Sequence, residues 1–141
     1  MGFRIFDFSS DVGVEADDET VADAFVELGR GMASIITDGS RIRRRESHDL
    51  DLAGDKDIPG TAVAFLNELV FLFDTAQFLV AEGEITVKKE GDVHRVRGKV
   101  WGETFDPKVH HAGRGVKAAT YHEATYRVAR GMHRIRIVLD L

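Results

Sequence analysis

The chain has 141 residues, a formal net charge of −5 and no cysteine. The missing cysteine excludes disulfides and thiolate metal centres, so any metal must be held by oxygen or imidazole. The negative balance disfavours free nucleic acid as a partner except where basic residues cluster. A chain of this length fits one domain, residues 1–141, able to bury roughly 68–70% of its unfolded surface.

Phe3-Arg4-Ile5-Phe6-Asp7-Phe8 alternates and predicts a strand that opens into Ser9-Ser10-Asp11-Val12-Gly13. Asp17-Asp18-Glu19 then opens a helix, because acidic groups suit the orphan N–H groups and the dipole of a helix start. Val21, Phe25, Leu28, Met32, Ile35 and Ile36 follow at helical spacing, and Thr37-Asp38-Gly39-Ser40 is the stop. Gly29 and Gly31 weaken that helix locally and point to a close backbone approach. Residues 42–52 predict an exposed or edge strand, and Gly54-Asp55-Lys56-Asp57 a loop. Pro59 starts a second helix, where its missing N–H is harmless. Its apolar run, Ala62 to Phe73, is shorter than the ~20 residues of a membrane span. Asn67, Glu68 and Asp74 form a polar stripe on it, expected to face solvent, with a partner contact as the alternative.

Beyond Gly83 the pattern turns to strand. Ile85, Val87, Val93, Val96, Val100 and Phe105 alternate about a hairpin turn at Glu90-Gly91-Asp92. A loop runs from Phe105 to Gly115, and residues 116–128 predict another strand, although Ala118-Ala119 leaves a helix open. Arg130-Gly131-Met132-His133 turns into a last strand in which Ile135, Ile137 and Leu139 alternate with Arg134, Arg136, Val138 and Asp140. The sum is an α+β fold: a mostly antiparallel or mixed sheet packed with two main helices.

Acidic groups therefore stand near both predicted terminal strands. Asp11, Asp140 and an oxygen of Leu141 are hard ligands of the kind that suit Ca²⁺ or Mg²⁺. Spacing alone fits a turn Asp and a strand-end Asp in solvent at least as well. His110, His111 and His122 invite a zinc reading, but zinc wants three or four protein ligands and adjacent His residues on a strand point apart. Two basic clusters, Arg41/Arg43/Arg44/Arg45 and Arg127/Arg130/Arg134/Arg136, read as solvated loops and strand faces or as local phosphate contacts. No Walker-type phosphate loop and no Gly-x-Ser-x-Gly elbow is present. The Met1-Gly2-Phe3-Arg4 start shows no signal-peptide pattern. Phe6 stands where a myristoylation motif needs Ser or Thr, so a cytoplasmic location without membrane attachment is expected.

Several segments together resemble the archease family. Phe6-Asp7-Phe8-Ser9-Ser10-Asp11-Val12-Gly13 is similar to its Asp-His-Thr-Ala-Asp-(Ile/Val)-Gly segment, and Ile35-Ile36-Thr37-Asp38 to its apolar-then-Thr-Asp helix end. Leu66-Asn67-Glu68-Leu69-Val70-Phe71-Leu72-Phe73-Asp74, Gly102-Glu103 and Val116-Lys117-Ala118-Ala119-Thr120-Tyr121-His122 resemble further family segments in the same order. The ending Val138-Leu139-Asp140-Leu141 is like the family's terminal Asp plus aliphatic residue. The resemblance implies a non-catalytic protein cofactor of an RtcB-type RNA ligase, promoting its guanylylation and turnover in tRNA splicing or RNA repair. The partner would be the ligase, with tRNA met indirectly through it. It also implies a divalent metal, Ca²⁺ first and Mg²⁺ or Mn²⁺ as alternatives, on Asp11, Asp140 and a backbone oxygen of Leu141. Phe8 replaces the family's His, so no role of that His carries over. Other readings are a metal-stabilised binding module or chaperone for RNA-modifying enzymes such as a tRNA methyltransferase, and a small metal-dependent hydrolase.

Overall fold

The computed structural model describes residues 1–141 as two antiparallel sheets with two helices between them. In chain order these are β1 (Gly2–Phe8), β2 (Asp11–Asp18), α1 (Val21–Ile36), β3 (Glu46–Ala53), α2 (Ile58–Ala76), β4 (Phe78–Glu90), β5 (Val93–Thr104), β6 (Ala118–Ala129) and β7 (Met132–Asp140). One sheet has the order β1-β2-β7-β6 and the other β3-β5-β4, with every pairing antiparallel. The α+β reading holds, as two sheets rather than one.

Period-2 burial fixes how the four-stranded sheet faces the helices. Val12, Val14 and Ala16 of β2 and Ile135, Ile137 and Leu139 of β7 are fully buried, and each is separated from the next by one residue. They meet α1, whose Phe25 ring lies 5.6 Å from Phe65 of α2. Gly29 is where α1 meets α2 and β4 most closely. A Cβ there would stand 2.8 Å from Leu69 Cδ1, so the expected close approach is real. Leu66 and Leu69 of α2, Leu79 and Val80 of β4 and Val96 and Val100 of β5 complete the same core. At 19 residues α2 is longer than the apolar run suggested, and by length and composition it matches a membrane span. Its Phe65, Leu66, Leu69 and Val70 are nevertheless buried in this core.

Some boundaries differ from expectation. Residues 11–18 form β2, so Asp17 and Asp18 end a strand rather than opening a helix. The cap of α1 is Thr20, whose hydroxyl accepts from the Asp23 N–H at 3.0 Å. The Arg41–Arg45 stretch lies outside any strand, and β3 starts only at Glu46. The strand after α2 starts at Phe78, because Gln77 ends the helix in the left-handed region (φ 53) without a glycine. β6 is a strand, and residues 121–124 bulge from it between Thr120 and Thr125.

Candidate functional site

The β1–β2 corner and the end of β7 meet in one place. Ser9 and Ser10 make a two-residue turn, with Ser9 at φ 56, that sets Phe8 opposite Asp11. Across β2 and β7, Val12 faces Leu139 and Gly13 faces Val138. One further step in this register sets Asp11 beside Asp140. Val12 and Leu139 point into the core, so alternation turns Asp11 and Asp140 together onto the outer face of the sheet. Asp140 is exposed and Asp11 half-buried. The Lys117 N–H donates to the Asp140 carbonyl at 2.8 Å and holds the strand end. The Leu141 side chain packs on the core. No backbone N–H donates to the Leu141 oxygens.

The rest of the outer face is braced. The Phe6 ring lies across β2 over Gly13, where a Cβ would stand 2.0 Å from Cζ of the ring. The Arg136 guanidinium covers the same ring, 3.8 Å from its centroid. Arg134 donates to Asp17 at 2.7 Å, and this hydrogen bond holds the Asp17 carboxyl below its usual range. Arg4 donates to Glu15 at 2.9 Å. Arg134, though exposed, and half-buried Arg136 thus each have a partner on this face.

The histidines do not converge. His110 is buried: its Nδ1 accepts from the Asp106 N–H at 2.9 Å, and its Nε2 lies 3.1 Å from Glu103. Both ring nitrogens are occupied, which leaves none for zinc. His111 is exposed, and the His122 ring meets Phe8 edge-on at 5.8 Å. Beside it the Tyr121 hydroxyl donates to Asp57, the cap of α2, and this hydrogen bond raises the hydroxyl's pKa. No three His, Asp or Glu side chains come together anywhere. The expected oxygen site asks for only two side chains and a main-chain oxygen. Two carboxylates on one face beside free main-chain oxygens are hard donors and suit Ca²⁺ or Mg²⁺.

A buried polar cluster emerges that the pattern of residues did not flag as a working unit. Glu103 accepts from the Arg43 N–H at 2.6 Å, from Arg43 Nη2 at 3.0 Å and from His110. Burial opposes ionisation of Glu103. The Arg43 side-chain and backbone hydrogen bonds and His110 outweigh it and hold the carboxyl at about 2. Asn67 faces β6, not the solvent that the polar stripe predicts. Its amide accepts from the Ala119 N–H at 2.7 Å and donates to the Ala119 carbonyl at 3.2 Å, which clamps α2 to β6. Its only signal in the sequence is an amide in the polar stripe it shares with Glu68 and Asp74.

The model of the archease protein family (MTH1598/TM1083) matches residues 3–141. The chain belongs to the archease family. A protein archease of Saccharolobus islandicus is 28% identical over 139 residues, covering 99% of this chain and 98% of its own. The solution structure of protein 1598 of Methanobacterium thermoautotrophicum superposes with a TM-score of 0.82 at 26% identity, covering 99% of both chains. An archease of Thermotoga maritima, described as a possible chaperone, shares the fold at a TM-score of 0.56 and 14% identity, over 96% of this chain and 94% of its own. In this archease Phe8 stands one residue before the Ser9–Ser10 turn, and Asp11 one residue after it.

Proposed function

We propose that this archease is a non-catalytic cytoplasmic accessory protein of an RtcB-type RNA ligase, and that Asp11, Asp140 and a Leu141 main-chain oxygen hold a divalent cation, Ca²⁺ foremost. The observation that carries this reading is the register of β2 and β7. It brings the two carboxylates to one outer face at the strand ends, within a family match that runs from residue 3 to 141. A hard cation held there would supply a localised positive charge at an otherwise acidic tip. The chain's own residues do the positioning. Ile135, Ile137 and Leu139 anchor β7, the Lys117 N–H fixes the Asp140 carbonyl, and the Ser9–Ser10 turn presents Asp11. The partner ligase is the enzyme in this reading, and tRNA enters as the ligase's substrate.

The test is to add the purified protein to such a ligase with GTP and RNA ends, and to follow guanylylation and turnover. Stimulation at sub-stoichiometric amounts, with no GTP hydrolysis or RNA cleavage by the protein alone, is expected. Unaided turnover that survives purification to homogeneity would point to the hydrolase reading. A second reading, a chaperone for RNA-modifying enzymes, draws on the description of the Thermotoga maritima protein. It predicts protection of a client, such as a tRNA methyltransferase, from aggregation without any effect on the ligase.

A further inference from the structure

The surface around the end of α1 is of opposite charge to the Asp11–Asp140 tip. Three depressions of about 370, 310 and 320 Å³ adjoin there. The first two share Ser34 and Gly39, and the first and third share Ser40 and Arg41, so they form one furrow around the α1 stop. Its charged lining is Arg30, Arg41, Arg43 and Arg114 against a single acid, Asp38. Arg30 is paired with Glu27 and Arg43 with Glu103. Arg41 and Arg114 are exposed and make no ion pair. On a chain of net charge −5, two free guanidiniums along one furrow are a local reversal of sign.

We propose that this furrow binds single-stranded RNA, with the Arg41 and Arg114 guanidiniums on successive phosphates and a base against Phe3. A guanidinium fork matches phosphate geometry. Phe3 lines the largest depression, and the Arg30 guanidinium lies 6.0 Å from its ring centroid, so an aromatic face and a cation flank the same space. Every base has a face that can stack there, whereas aspartate and glutamate side chains have none. Ser34 lines the same depression.

The experiment is fluorescence anisotropy with a labelled, unstructured ten-nucleotide RNA, titrated across 25–200 mM salt. The wild type is compared with a variant carrying Arg41→Glu and Arg114→Glu, and with the milder Arg41→Gln and Arg114→Gln pair. Neither arginine holds an ion pair, so both variants should melt with the wild type. The charge-reversed variant should bind tenfold or more weakly. In the milder pair the slope of log K against log salt should shrink by roughly 1.4, at about 0.7 per single-strand phosphate contact. Absence of wild-type binding at 25 mM salt, or equal binding by all three proteins, would overturn the proposal. So would displacement of the RNA by polyglutamate of equal charge as readily as by unlabelled RNA, since the furrow would then be a site for acidic protein segments. The outcome is independent of the ligase reading: RNA binding here without ligase stimulation refutes that reading alone.

Discussion

Glu103 shows how one buried residue can tie three segments together. Its carboxylate receives the Arg43 backbone and guanidinium and the His110 ring, so the Arg41–Arg45 connector, β5 and the 105–110 loop share one charge. Its pKa is lowered from 4.5 to about 2. The stabilisation this confers is complete above pH ~4.5 and is lost as pH falls through about 2, because a depressed carboxyl stabilises only while ionised. A shift of this size corresponds to on the order of 3 kcal/mol. Glu103→Gln should therefore lower stability at pH 7 by up to that amount, with the gap to wild type closing towards pH 2; urea unfolding at pH 7, 4 and 2.5 measures it. Gly13 is constrained in another way, by the Phe6 ring above it. Gly13→Ala must displace that ring and its Arg136 partner, and overpacking of this kind destabilises by about 1–3 kcal/mol. A melting curve unchanged by Gly13→Ala would show that Phe6 moves freely.

Among the elements, the clamp between α2 and β6 is the most localised. Asn67 satisfies both backbone groups of Ala119, two pairings before the strand bulges. Asn67→Leu keeps the apolar contact of α2 but orphans those groups, each worth about 1–3 kcal/mol when left unpaired. Amide exchange should accelerate at Ala119 and its β6 neighbours while the α2 amides stay protected; uniform acceleration would mean global rather than local loosening. The α1 helix, the Glu90-Gly91-Asp92 hairpin and β7 were legible because their apolar spacing is regular. β2 was not. Val12, Val14 and Ala16 do alternate, but Gly13 and the Asp17-Asp18-Glu19 run imitate a turn and a helix start. The start of β4 is hidden because Gln77, not glycine, takes the left-handed cap, so no turn signal separates α2 from Phe78-Leu79-Val80. The Glu103 cluster joins residues 60 positions apart, a tertiary pairing with no local pattern to announce it.

For the molecule as a whole, the fold presents two surface regions of opposite charge. The four-stranded sheet presents Asp11 and Asp140 at the ends of its two central strands, and the segments flanking the end of α1 present the arginine furrow. Asp11 and Asp140 were named from the sequence as ligands with Leu141, and the register of β2 and β7 sets the two carboxylates side by side. The Leu141 side chain packs on the core. Removing Asp140 and Leu141 should leave the protein folded but cost about 1 kcal/mol of apolar burial, a melting shift of a few degrees. Ligase stimulation should fall to background in the same variant. Full stimulation by the truncated protein would make the strand end structural only. The central claim, that the two strand-end carboxylates form a cation site, is tested most directly by titrating Ca²⁺ into the wild type, Asp11→Ala and Asp140→Ala by calorimetry. The account predicts one saturable site in the wild type and none in either variant, with all three proteins equally folded. Undiminished Ca²⁺ binding in both variants would contradict it.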